Sequence, residues 1–451
     1  MATNPRLDPA TDLIVPEPPR LPTAPSAWDS QFQDQYTNVL RLYFNRLNNL
    51  LRELNVADSE SGIYPLGTAG DAFGRLRTST PFTLFDSKNR FQKDPQFDES
   101  LTAGATSTYS ATNASVTLAL DGTASESAVR QTYRVFPYQP GKSLLVFATF
   151  SMSTAVGSVD TKVGYFDGTN GVYFRRSGST MYFEIMKNGS VTESVAQTEW
   201  NTDKMDGTGA SSVTLDPTKT QILYMDFEWL SVGTVRCGFV QDGKLYVCHA
   251  FHHANTATSV YMTTATLPVR YEIVDTAGAG STSSLQQICS TVMSEGGYNQ
   301  RSAPIWARRT TVMTATTAFQ PIVSIRLKSG YEGAVIIPSQ FTALPVGSVL
   351  DYEVALIKNP TLTGASFTSN STSVDYDVTA TALSGGTIVS TTFIAGSNQG
   401  STTLDQGQTY NFDLQLGVDL SGTSDIYTLA ARTLSGSDDI IGALSYYDLT
   451  D

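Results

Sequence analysis

All three histidines of the chain, His249, His252 and His253, fall in one short run, and Cys237 and Cys248 stand just before it. Thiolates and imidazoles are the ligand set of zinc, and two facing thiols can also close a disulfide. Asp242-Gly243 reads as a two-residue hairpin turn. Counting from that turn sets Cys237 opposite Cys248, where cross-strand neighbours lie roughly 4.5–5.5 Å apart. A disulfide or a shared metal is therefore open by geometry. The spacing argues the other way, because zinc sites favour C-x2–4-C or H-x3–5-H on a formed loop. The two-residue period of a strand also turns His249 away from Cys248. The plainer reading is two small buried thiols beside a polar histidine loop, with no metal and no cofactor.

Two other groups could do chemistry. Asp226 and Glu228, in Met225-Asp226-Phe227-Glu228, share one strand face and have the composition of a glycosidase pair. Carboxylates at i and i+2 also make an ordinary solvated sheet face, which is the expected role. Asp167-Gly168-Thr169-Asn170-Gly171 offers oxygen ligands suited to Ca²⁺, and a plain hairpin turn explains it more cheaply. The chain has no G-x-S-x-G elbow and no glycine-rich phosphate loop. The expectation is a protein that is not an enzyme.

The elements that must carry these residues are mostly strands. At 451 residues the chain is long enough for two or three domains. Only 16% of residues are charged, and the net charge of −13 argues against a general polyanion binder. Neither terminus shows a secretory signal and no apolar run approaches a membrane span, so synthesis in a cytoplasm is expected. Residues 1–27 hold seven prolines and read as an extended arm that docks on another subunit.

Residues 28–57 read as a helix. Tyr36, Tyr43 and Leu50 recur every seven residues, as do Leu40, Leu47 and Leu54, which is the seam of a coiled coil and predicts a homotrimer. Residues 58–104 read as a connecting segment. A meander of four short strands follows from about 161 to 196, and further alternating runs fill a β-sandwich of jelly-roll or lectin type over 105–300. A second antiparallel sandwich is expected at 305–451.

The connecting segment contains GDAFGRLRTSTPFTLFDSKNR, residues 70–90, with Arg75, Arg77, Lys88 and Arg90 interleaved among aromatics. Pro81 interrupts any regular element there. The mix suits an assembly joint, with Phe73, Phe82 and Phe85 buried and Arg75, Arg77 and Arg90 paired to acidic groups of a neighbour.

That block resembles a recurrent one in virion structural proteins of tailed bacteriophages, especially phages of cyanobacteria and other aquatic bacteria. Leu144–Phe150, Val163–Phe174, Asp226–Leu230, His249–Asn255, Leu267–Ile273 and Ile288–Gly297 continue the similarity in order. The helix, through Leu40-Arg41-Leu42-Tyr43-Phe44-Asn45-Arg46-Leu47, is similar to the trimerising leader of short phage fibre proteins. The resemblance implies a structural part of a virion, on the tail as a trimeric fibre-like or adaptor protein anchored by residues 1–60 to other virion proteins. A capsid decoration or head-fibre protein is the alternative. A further alternative is a glycan-binding module for the host surface, with Tyr138, Trp200 and Tyr261 as exposed stacking residues.

Overall fold

The computed structural model describes residues 30–57, 79–278, 280–299, 302–346, 350–395, 402–405 and 412–450, with helix side chains given for 31–45. The arm over 1–27 lies outside them. The chain divides into two compact units, Met1–Ser79 and Thr80–Asp451.

The described residues of the first unit form a helix, α1, Ser30–Ala57. Phe32, Tyr36, Val39, Leu40 and Tyr43 form a half-buried stripe at helical spacing. Leu42 and Phe44 are 53% and 59% exposed, and none of the described side chains of α1 is buried. Leu47, Leu50 and Leu54 lie on the helical backbone, with side chains outside the described residues.

The second unit begins with strands β1 (Phe82–Lys88), β2 (Phe97–Thr102), β3 (Thr106–Ser110), β4 (Ser115–Asp121) and β5 (Ser127–Thr132). There follow β6 (Leu144–Met152), β7 (Val159–Phe166), β8 (Gly171–Ser177), β9 (Thr180–Lys187) and β10 (Ser190–Ala196). Then come β11 (Gln221–Phe227), β12 (Val235–Gln241), β13 (Lys244–Phe251), β14 (Val269–Asp275) and β15 (Thr282–Ser294). These make two antiparallel sheets, ordered β13-β12-β11-β6-β15-β4-β3 and β10-β9-β8-β7-β14-β5-β2, with β1 also on β15.

The sheets close face to face on alternating residues. Along β6, Val146, Ala148 and Phe150 are fully buried while Leu145, Phe147 and Thr149 are half-exposed. Each large apolar side chain so buried contributes roughly 1.5–3 kcal/mol. The β7–β10 meander matches the sequence reading. Its last turn holds Asn188 and Gly189 at φ of 49° and 78°, and Asp242-Gly243 does the same at 52° and 73°. Tight hairpins need positive φ at both central residues, which is why Asn-Gly and Asp-Gly stand there.

The connecting segment is corrected in part. β1 and β2 belong to this sandwich, which starts at Phe82 rather than 105. β1 pairs with β15 from Phe82↔Ser294 to Lys88↔Cys289, with a bulge at Thr83/Phe85.

The second sandwich is built from β16 (Ile305–Ala315), β17 (Gln320–Leu327), β18 (Ile336–Pro345), β19 (Tyr352–Lys358), β20 (Thr361–Thr363) and β21 (Thr368–Ser369). It continues with β22 (Val374–Asp377), β23 (Ala382–Ser384), β24 (Thr387–Ile394), β25 (Thr402–Asp405), β26 (Ile426–Thr433) and β27 (Asp438–Asp448). Sheets β16-β27-β18-β25 and β21-β22-β17-β26-β19-β24 enclose a core that includes Ile322, Phe341, Leu356, Leu429 and Leu444. β20 and β23 form a small separate pair.

The two sandwiches are welded. Val335, Ile337, Phe412 and Leu449 of the second pack into the core of the first. Arg134, 7% exposed, donates to the Phe412 carbonyl and to Gln96, and pairs with Asp413 at 3.2 Å. Gln415 donates to the Val135 carbonyl at 3.0 Å.

Candidate functional site

The joint residues on the described chain border a cleft of about 620 Å³ between β1, the loop 88–96 and the Phe412–Asp413 turn. Phe85 is buried, with its ring 4.8 Å from Phe136 and 5.9 Å from Phe97. Phe82 meets Tyr298 and Phe412 at 6.0 and 5.9 Å, closing an aromatic cluster across the two sandwiches. Arg90 is exposed and lies over the Phe91 ring at 4.7 Å, and Phe91 is 80% exposed at the rim. Phe73, Arg75 and Arg77 lie outside the described residues.

A buried network fixes that rim. Asn89 donates to the Ile288 carbonyl at 3.1 Å and accepts from the Asp94 amide at 3.0 Å. Arg130, 1% exposed, donates to Gln287 at 2.7 Å, to the Asp94 carbonyl at 3.1 Å and to Glu99. Burial pushes the Glu99 carboxyl up, but Lys93, Ser107 and Arg130 outweigh it and hold it below the usual range. Burial pulls the Arg130 guanidinium down, against the pull of Glu99. Sequence reasoning missed Arg130; its one signal is a lone cation in the buried run Ala128-Val129-Arg130 of β5.

The cysteine–histidine group is dispersed. A register shift at Gly238 pairs Cys237 with His249 and drops Cys248 out of the ladder, so the two thiols are not cross-strand partners as expected. Both are free and buried, and burial pushes both thiols far up. His249 accepts from the Asn201 amide at 3.3 Å, and burial holds its pKa below the ordinary value. His252 is exposed near Thr234, while His253 is buried between Gly233 and Glu193. Among the described residues no three His, Cys, Asp or Glu side chains could hold a metal ion.

The carboxylate pair also separates. β11 ends at Phe227, so Glu228 sits in the following turn, exposed, and does not share a strand face with Asp226. Asp226 pairs with Arg236 across the ladder, yet burial outweighs the cation and raises its pKa. Asp167 spends Oδ1 on the Thr169 amide at 2.6 Å, the Thr169 hydroxyl at 2.9 Å and the Asn170 amide at 2.7 Å, as a turn does.

Of the expected stacking aromatics, two are corrected. Trp200 is 3% exposed, packed on Phe183 at 4.6 Å with its indole N–H on the Val195 carbonyl. Tyr261 is 4% exposed, beneath His253. Both rings are consumed by the fold. Tyr138 is half-buried, edge-on to Trp229, and its hydroxyl accepts from the Leu230 amide at 3.2 Å.

No family model matches the chain, and no curated protein matches it. Among solved structures it is similar to a protein of unknown function from Shewanella oneidensis MR-1, at 10% identity and TM-score 0.34 over 50% of this chain and 91% of that one. It is also similar to the Bacillus licheniformis β-glucanase, at 12% identity and TM-score 0.31 over 48% and 99%. The carbohydrate recognition domain of Emp47p is a third, at 10% identity and TM-score 0.31 over 51% and 100%. At these scores the likenesses add no argument about what the chain binds or does.

Proposed function

We propose that the chain is a non-enzymatic structural component of a tailed-phage virion, a trimeric tail-fibre-like or tail-adaptor protein that contributes to host-surface attachment. Residues 1–60 anchor it to other virion proteins, and the welded pair of sandwiches is the body that is carried. The observation behind this reading is α1. Its half-buried stripe and its exposed Leu42 and Phe44 give it apolar surface that an oligomer would cover. The phage-like block at 70–90 is in keeping with an assembly part.

Quantitative mass spectrometry of intact particles tests the station. A few dozen copies or fewer per particle fit a tail part, hundreds fit a capsid decoration, and absence from particles sinks the structural reading. Arg75→Ala and Arg77→Ala should lower the yield of assembled particles without changing any turnover.

A further inference from the structure

A second cleft, of about 570 Å³, lies where the two sandwiches meet. The β7–β8 turn and the segment leading to β14 wall one side; the turn Gly330–Ala334 and the loop Val418–Gly422 wall the other. Its walls are fixed, because the Val418 amide donates to the Tyr133 carbonyl at 2.9 Å and the Leu420 amide to Asp98 at 2.7 Å. The cavity is therefore pre-formed, and its size suits a small ligand.

Its chemistry is specific. Tyr331, 39% exposed at a turn tip, offers an aromatic face. Asp167 and Asp419 each commit Oδ1 to their own loops, which leaves Oδ2 of each as an acceptor. Glu332 adds a third carboxylate with one oxygen on the Gly330 amide. The bordering cation, Arg270, is spent on Glu272 and Gln131. The carboxylates do not converge on a metal position among the described residues. An anionic ligand would meet carboxylates with a neutralised cation, whereas a polyhydroxyl ligand brings the donors these acceptors lack and an apolar face for the tyrosine.

We propose that this cleft binds a neutral glycan, with Tyr331 as the stacking platform and Asp167 and Asp419 as hydroxyl acceptors. The proposal rests on the attachment role given above. The test uses the full-length protein on an array of neutral and sialylated oligosaccharides, followed by calorimetry with the best neutral one. Tyr331→Ala should weaken binding at least tenfold. Asp167→Asn and Asp419→Asn keep the turn-closing oxygen but replace the acceptor, and should each weaken it several-fold at unchanged melting temperature. Leu245→Ser, on an exposed strand elsewhere, should bind as the parent does. Retention of no neutral glycan, a preference for sialylated ones, or a Tyr331→Ala variant that binds normally overturns the proposal. Normal incorporation into particles alongside such a result leaves the structural role standing, so the two failures are distinguishable.

Discussion

The imidazole of His253 lies flat against the phenol ring of Tyr261, with centroids 4.2 Å apart and planes 12° from parallel. Its Nδ1–H donates to the Gly233 carbonyl at 2.6 Å, and Nε2 is 2.8 Å from the Glu193 carboxylate. Both nitrogens face acceptors, so the charged ring fits the site best. Burial pulls the pKa down, but Glu193 and the Gly233 carbonyl outweigh it, and the net shift is upward. A group whose folded-state pKa is raised stabilises fully below its unfolded value, near about 6.5, and loses that contribution as pH rises through the folded value. His253→Gln should therefore cost about 1 kcal/mol at pH 6, since Glu193 is partly solvated, and less at pH 8. Urea denaturation at both pH values checks this. An equal deficit at the two would count against it.

Arg134 ties the two sandwiches. Arg134→Met removes the donors to Gln96 and to the Phe412 carbonyl. Asp413 is 81% exposed and rehydrates, so the loss should be about 1–3 kcal/mol, below that of a fully buried pair. Chemical denaturation should show it, with the transition broadening as the sandwiches uncouple. An unchanged midpoint would refute the part given to Arg134 in the weld.

Gly238 makes room for the register step of the cysteine hairpin. A Cβ there would stand 1.9 Å from the Tyr246 carbonyl oxygen and 2.8 Å from the Tyr224 ring. Since the first is backbone, Gly238→Ala should cost about 1–3 kcal/mol or more. Gly157→Ala, with nothing within 4 Å, should stay within about 0.5 kcal/mol. Thermal melts of the two variants compare them directly.

For α1 the expected outcome is oligomeric. Sedimentation equilibrium of the purified chain should give a trimer, and combined Leu40→Asp, Leu47→Asp and Leu54→Asp substitution should give a monomer with intact sandwiches by circular dichroism. A monomeric parent protein removes the trimer.

The hairpins were legible because their chemistry is local: Asn188-Gly189 and Asp242-Gly243 announce positive φ. What escaped depends on distant partners. β1 finds its place only through β15, some 200 residues on, and its alternation is broken by the bulge at Thr83/Phe85. The cysteine register failed on one extra residue, and the carboxylate pair failed because a strand ended one residue early. Arg134 is an ordinary polar residue until Phe412 arrives from the other sandwich. Tyr331 and Asp167, which share the interdomain cleft, lie 164 positions apart and carry no common motif.

The pairing of Phe82 with Ser294 has an architectural consequence. The chain enters and leaves the first sandwich side by side, at a point closed by the rings of Phe82, Tyr298 and Phe412. Adjacent ends are what an inserted module needs, so 82 to 294 could be exchanged as one piece, provided the replacement keeps the surface that takes in Val335, Ile337, Phe412 and Leu449.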